Sequence, residues 1–299
     1  MRTINDKKVL CVYHKDCMDG ISSAYIVDER LGKYNNITFL AMQYGEDFFN
    51  EFEKTEDNIK TFDEVIVVDF CLQIEEYKIL ESFVDHITIL DHHKTAIKVV
   101  EELQENKIYT IVFDMNISGA LVTFDYFNMQ EFGYNRLPFE YISDRDIWAW
   151  KLKNSKEVSE AAMVTVEPNN LISFNDFYCN WNLFSLVKTG SILLAKTDQV
   201  VSSKIKLSKL TQTSIRGIDV LMTNATNNIS EIGNGICLEH GKISCMYFIL
   251  PDGKVIFSLR SIDTLKDASE IAKSYGGGGH RNACGFEGNL KLLQEFLGI

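Results

Sequence analysis

The stretch Ile87-Thr88-Ile89-Leu90-Asp91-His92-His93 sets a short apolar, β-branched run directly against an acid and two histidines. Such a run reads as a buried strand whose C-terminal end carries polar chemistry. The same unit occurs twice upstream: Val9-Leu10-Cys11-Val12-Tyr13 leads into His14, and Val65-Ile66-Val67-Val68 leads into Asp69. Helical segments follow, so the rhythm is that of a parallel α/β domain. Ligands of open α/β sheets bind beyond the strand C-termini, so three separate segments converge on one place by topology alone. Two helix starts, capped by Ser22 and by Ser118, offer backbone N–H groups as candidate anion cradles.

The chain has 299 residues, 45% of them apolar, which makes two domains the default expectation. A segment with spaced apolar residues from about 183 to 212 reads as a helical linker, dividing the chain into 1–182, 183–212 and 213–299. Beyond it, Ile218–Met222, Ile243–Ile249 and Val255–Arg260 read as strands of a smaller α/β unit, with Pro251-Asp252-Gly253 as a turn. No run reaches the ~18 apolar residues of a membrane span, and the start, MRTINDKKVL, lacks a signal peptide's apolar stretch. The expectation is a soluble cytoplasmic protein, monomer or homodimer, with no membrane partner. Seven cysteines without a CxxC pair indicate neither a disulfide framework nor a thiolate zinc site. A net charge of −12 disfavours extended duplex nucleic acid as a partner.

Two divalent metals about 3.5 to 4 Å apart require oxygen and nitrogen donors with a bridging carboxylate, and they then support in-line displacement at phosphorus. The donors are present: His14, Asp16 and Asp19 in the first turn, Asp69 in the second, Asp91 and His92 in the third, and Asp144 further on. Mixed His/Asp ligation favours Mn²⁺ or Mg²⁺ over structural zinc. Taken singly, a strand-end aspartate is more often a turn or capping residue. Trp148 and Trp150 read as core or rim aromatics.

In this order, the His14-to-Gly20 turn, Asp69, Asp91-His92-His93 and Asp144 resemble the DHH phosphoesterase family. Ser258-Leu259-Arg260-Ser261 and the run from Gly276-Gly277-Gly278-Gly279-His280-Arg281 to Phe286 resemble its DHHA1 domain, so the likeness covers essentially the whole chain. It implies a parallel-sheet DHH domain joined by the helical linker to a DHHA1 domain, with the active site in the interdomain cleft. It also implies two Mn²⁺ ions, or Mg²⁺, held by His14, Asp19, Asp69, His92 and Asp144, with Asp69 as the bridge. Asp91, His92 and His93 would form the catalytic core, Asp91 and His93 orienting the site and handling protons. Ser118, Arg260, Gly277, Gly278, Gly279, His280 and Arg281 would contact substrate.

The first motif departs from the commonest family pattern. Cys17 stands where an aspartate is usual, as in a branch written His-x-x-Cys-x-Asp-Gly. Three readings stay open: Asp16 replaces the missing ligand, Cys17 approaches the metal, or that metal is weakly held. Asp144 and Asp146 compete for one role, and the family register favours Asp144. The implied activity is hydrolysis of short oligonucleotides or of cyclic or linear dinucleotides. Its rivals are pyrophosphate or phosphomonoester hydrolysis on the same scaffold, and a nucleotide sensor without turnover.

Overall fold

The computed structural model describes residues 7–55, 57–207 and 210–299; positions 208 and 209 of the expected linker and the first six residues lie outside the described residues. The chain divides into two compact units, Met1–Leu194 and Ala195–Ile299.

The first unit begins with strand β1 (Lys8–His14), helix α1 (Met18–Val27), β2 (Asn36–Met42), α2 (Phe48–Glu53), β3 (Glu64–Val68), α3 (Ile74–Leu80), β4 (His86–Asp91), α4 (Ile97–Leu103) and β5 (Tyr109–Phe113). Helices α5 (Gly119–Tyr126), α6 (Leu137–Asp146), α7 (Ser155–Thr165) and α8 (Leu171–Cys179) follow, and α9 (Leu183–Leu207) runs across the division. The strands form a parallel sheet in the order β2-β1-β3-β4-β5.

Strand period two distributes β1 between two cores. Val9, Cys11 and Tyr13 pack with Ile21, Phe124 and Phe174, while Leu10 and Val12 pack with Phe48, Tyr77 and Leu80. Both faces of the sheet are therefore covered, which explains the continuous apolar runs of β1, β3 and β4. The strand order reverses between β1 and β3, and the crevice of a doubly wound sheet opens at such a reversal. His14 ends β1 and Asp69 follows β3 at that point.

Ser22 is not a cap. It lies inside α1, whose N-cap is Cys17, and its hydroxyl donates to the carbonyls of Met18 and Asp19 at 2.7 and 3.0 Å. The helix starts earlier because Asp19 and Gly20, read as turn residues, are its first-turn residues.

In the second unit, β6 (Thr211–Ile215), β7 (Ile218–Asn224), α10 (Ile229–His240), β8 (Ile243–Ile249), β9 (Lys254–Arg260), α11 (Ser269–Lys273), β10 (Gly278–His280), β11 (Ala283–Asn289) and α12 (Leu290–Leu297) follow in turn. They build a mixed sheet in the order β10-β11-β9-β8-β7-β6. Its core gathers Val220, Cys245, Phe257, Leu259 and Phe286.

Candidate metal centre

Four segments bring their polar ends together beyond the first sheet. Asp69 occupies the left-handed region at φ 50°, and its carboxylate is almost wholly buried. Its Oδ1 lies 3.1 Å from His92 Nε2, and its Oδ2 lies 3.6 Å from His14 Nδ1. Asp19, buried in the first turn of α1, places Oδ2 3.7 Å from the same His92 nitrogen. Asp146, the last residue of α6, places Oδ2 at 3.4 Å from it.

Donor atoms thus fall into groups whose members lie within 4.8 Å of one another: His14, Cys17 and Asp69; Asp19, His92 and Asp146; and Asp69 with Asp91, His92 and His93. Asp69 and His92 join the first two groups through their contact. This is the layout of two neighbouring donor groups that meet at a carboxylate–imidazole contact. The buried oxygens Asp19 Oδ2, Asp69 Oδ2 and Asp146 Oδ2 and the nitrogen His14 Nδ1 have no hydrogen-bond partner among the described residues. Buried polar atoms left so are costly, and hard divalent cations take such oxygen and imidazole donors. The residues fit two cations.

Charge in the cluster is mutually adjusted. Burial alone would raise Asp69, yet the His14 and His92 imidazoles beside its carboxylate hold it well below the usual carboxylate range. Burial, then the charges of Asp69 and Asp146, push Asp19 well up, and Asp146 is raised chiefly by burial. His92 is lowered by burial but carried to about 10 by its bond to Asp69 and the nearby Asp146 charge. Three carboxylates this close cannot all ionise unless cations or protons compensate them.

Asp91, at the end of β4, accepts hydrogen bonds from Nδ1 and the backbone N–H of His93 at 2.8 and 3.3 Å. That bond fixes the ring and assigns the His93 proton to Nδ1.

Three expected roles change. Asp144 does not join the cluster: its carboxylate accepts the backbone N–H groups of Lys151 and Leu152 at 2.8 and 3.1 Å, and Asp146 takes its place. Two helical positions differ by about 200° around the axis, so the two acids cannot share a face. Asp16 is exposed at φ 54° and bonded to the Asn169 amide at 2.6 Å, outside every donor group. Cys17, not Asp16, stands with His14 and Asp69. Ser118 is fully buried, and its N–H donates to Ser143 Oγ at 3.0 Å, which removes it as a substrate contact. The start of α5 does hold a carboxyl group, that of Asp19, whose Oδ1 accepts the Ala120 N–H at 3.1 Å.

Several contributors escaped sequence reasoning. Gly119 lies so close to Asp69 that an added Cβ would stand 2.6 Å from the Asp69 Cβ. Gln43 Oε1 lies 3.1 Å from His14 Nε2. Tyr44 packs edge-on to His93 at 5.5 Å, with its buried hydroxyl lacking a partner among the described residues. Both follow β2, which with β5 is one of two strands of the first sheet whose ends were not read, so the strand-end rule would have found them.

In the second unit, Arg260 donates to Ser230 Oγ at 2.9 Å and to the Leu259 carbonyl at 2.7 Å. Arg281 donates to the Leu265 carbonyl at 2.6 Å. Gly278, Gly279 and His280 pair with Gly285, Cys284 and Ala283, and a Cβ on Gly277 or Gly279 would strike β11. The glycine run thus serves first to let two strands approach.

Residues 222–298 match the DHHA1 domain. Over its length the chain resembles the DHH/DHHA1 phosphoesterases. It is 28% identical over 305 residues to the uncharacterized protein R106 of Acanthamoeba polyphaga mimivirus, spanning 94% of this chain and 67% of that one. It is 24% identical over 317 residues to oligoribonuclease NrnB of Bacillus subtilis, spanning 96% of this chain and 74% of that protein. Among solved structures, RecJ from Thermus thermophilus in complex with Mn²⁺ shares the fold at TM-score 0.52 and 11% identity, over 97% of this chain and 51% of that one. No helix among the described residues is long and apolar enough to cross a membrane.

Proposed function

We propose that this protein is a divalent-metal phosphodiesterase that hydrolyses short oligonucleotides or dinucleotides, with Mn²⁺ as the working ion. The observation that carries the reading is the pair of donor groups, His14/Cys17/Asp69 and Asp19/His92/Asp146, joined by the 3.1 Å Asp69–His92 contact. Two cations held there would activate water and offset charge on the scissile phosphate. The protein's own residues supply the rest. Asp69 would contribute its carboxylate to hold the cations, with the Gly119 backbone packed closely against it. Asp19 is anchored by α5 and Asp146 by the end of α6. Asp91 holds the His93 ring in place through Nδ1, which positions the imidazole to handle protons. The likeness to oligoribonuclease NrnB and the acidic chain, at net −12, both favour short substrates over long duplexes.

Incubation with Mn²⁺ and separately with linear dinucleotides, cyclic dinucleotides, longer single strands and pyrophosphate tests this. Chromatography should show dinucleotides converted to mononucleotides fastest. Hydrolysis of pyrophosphate alone, or tight nucleotide binding without any product, overturns the proposal.

A further inference from the structure

Trp148 and Trp150 both adopt left-handed backbone conformations, at φ 57° and 52°. For a bulky side chain that is a steric outlier, and such strain persists only where neighbouring contacts enforce it, commonly at functional positions. Here one acid enforces it. The Asp144 carbonyl accepts the N–H groups of Ala149 and Trp150 at 2.9 and 3.3 Å, while its carboxylate holds those of Lys151 and Leu152.

Held in that turn, the two indoles meet edge to face with centroids 4.9 Å apart. The Arg145 guanidinium lies 4.6 Å from the Trp148 centroid and 5.5 Å from that of Trp150, and the Lys156 ammonium lies 5.5 Å from the latter. Both rings are half-buried rather than sealed in the core. Trp148 follows Asp146 by two residues, so their Cα atoms lie within about 7 Å of each other. Two cations thus lie against two aromatics beside the metal centre. A flat, apolar ligand attached to an anion satisfies both features.

We propose that Trp148 and Trp150, with Arg145 alongside, form a nucleobase-binding subsite, stacking the base of the nucleotide whose phosphate reaches the metal centre. The proposal rests on the phosphodiesterase reading and adds what selects the substrate. Stacking tolerates any base, so the subsite distinguishes nucleotides from base-free phosphoesters rather than one base from another.

The chain has three tryptophans, and the third, Trp181, packs on Tyr141 and Phe177. In Trp181→Phe protein with Mg²⁺, indole fluorescence therefore reports on the subsite alone. Adenosine monophosphate should quench it, and ribose 5-phosphate should not. Turnover should favour a dinucleotide over its abasic analogue by roughly tenfold or more, and that preference should collapse in Trp148→Ala and Trp150→Ala and be partly restored by phenylalanine at each position. Equal quenching by both phosphates, or equal turnover of both substrates by the unaltered protein, overturns the subsite. Quenching by the nucleotide without hydrolysis of any dinucleotide overturns the phosphodiesterase reading and supports the subsite.

Discussion

Asp146 Oδ2 lies 3.4 Å from His92 Nε2, whereas Asp144, one turn-fraction away on α6, is tied to backbone N–H groups. The two acids therefore answer differently to the same change. Asp146→Asn should weaken cation binding by about tenfold or more, since metal-site substitutions of this kind have that effect. Asp144→Asn should keep cation affinity and lose about 1.5–3 kcal/mol of stability with one charged hydrogen bond. Equilibrium dialysis with Mn²⁺ and thermal melts separate them, and the reverse pattern would return the ligand role to Asp144.

Cys17 stands with His14 and Asp69, and Asp16 is bonded to Asn169 at the surface. Burial pushes the Cys17 thiol well up, so without a cation it is protonated. Bound Co²⁺ should show a thiolate charge-transfer band that Cys17→Ser removes and Asp16→Asn leaves. An unchanged spectrum in Cys17→Ser shows the sulfur to be a packing neighbour only.

Removing cations should make stability depend on pH in one direction. His92 is raised from 6.5 to about 10, so its proton stabilises the metal-free fold fully below about 6.5 and is lost as pH rises toward 10. Asp19 and Asp146 are raised too, and their ionisation with rising pH acts in the same sense. Melting temperature after chelation should fall from pH 6.5 to 10, while the Mn²⁺-loaded protein stays nearly level. Parallel curves for the two forms would show that cations do not bind at this cluster.

The Tyr44 hydroxyl is buried beside His93 without a partner among the described residues. Removing an unsatisfied buried hydroxyl is close to neutral for stability. Tyr44→Phe should therefore melt at the same temperature or higher, yet turn dinucleotides over about tenfold more slowly if the hydroxyl meets substrate. Unchanged turnover assigns Tyr44 to packing.

The strand-borne part of the centre was legible because β1, β3 and β4 are buried on both faces, which makes their sequences continuous apolar runs with polar ends. His14, Asp69, Asp91, His92 and His93 were read from that boundary alone. The helix-borne and loop-borne parts were not. Choosing Asp144 over Asp146 needs the phase of α6, and two acids two positions apart give no internal sign of it. Asp16 against Cys17 depends on a left-handed backbone at Asp16, and Ser118 on how deeply α5 is buried; both are set by tertiary packing. The strain at Trp148 and Trp150 is likewise invisible in sequence, since nothing local announces that Asp144 will pin the turn.

The hydrogen bond from the Ala120 N–H to Asp19 spans 101 positions of chain. Contacts of such separation form late, because loop closure must precede them. The cation cluster is therefore completed only after β1 through α6 have assembled, and a growing chain that ends before Asp146 lacks it. Bound ions would thus act on the finished fold, lengthening its lifetime against unfolding while leaving the speed of folding almost untouched.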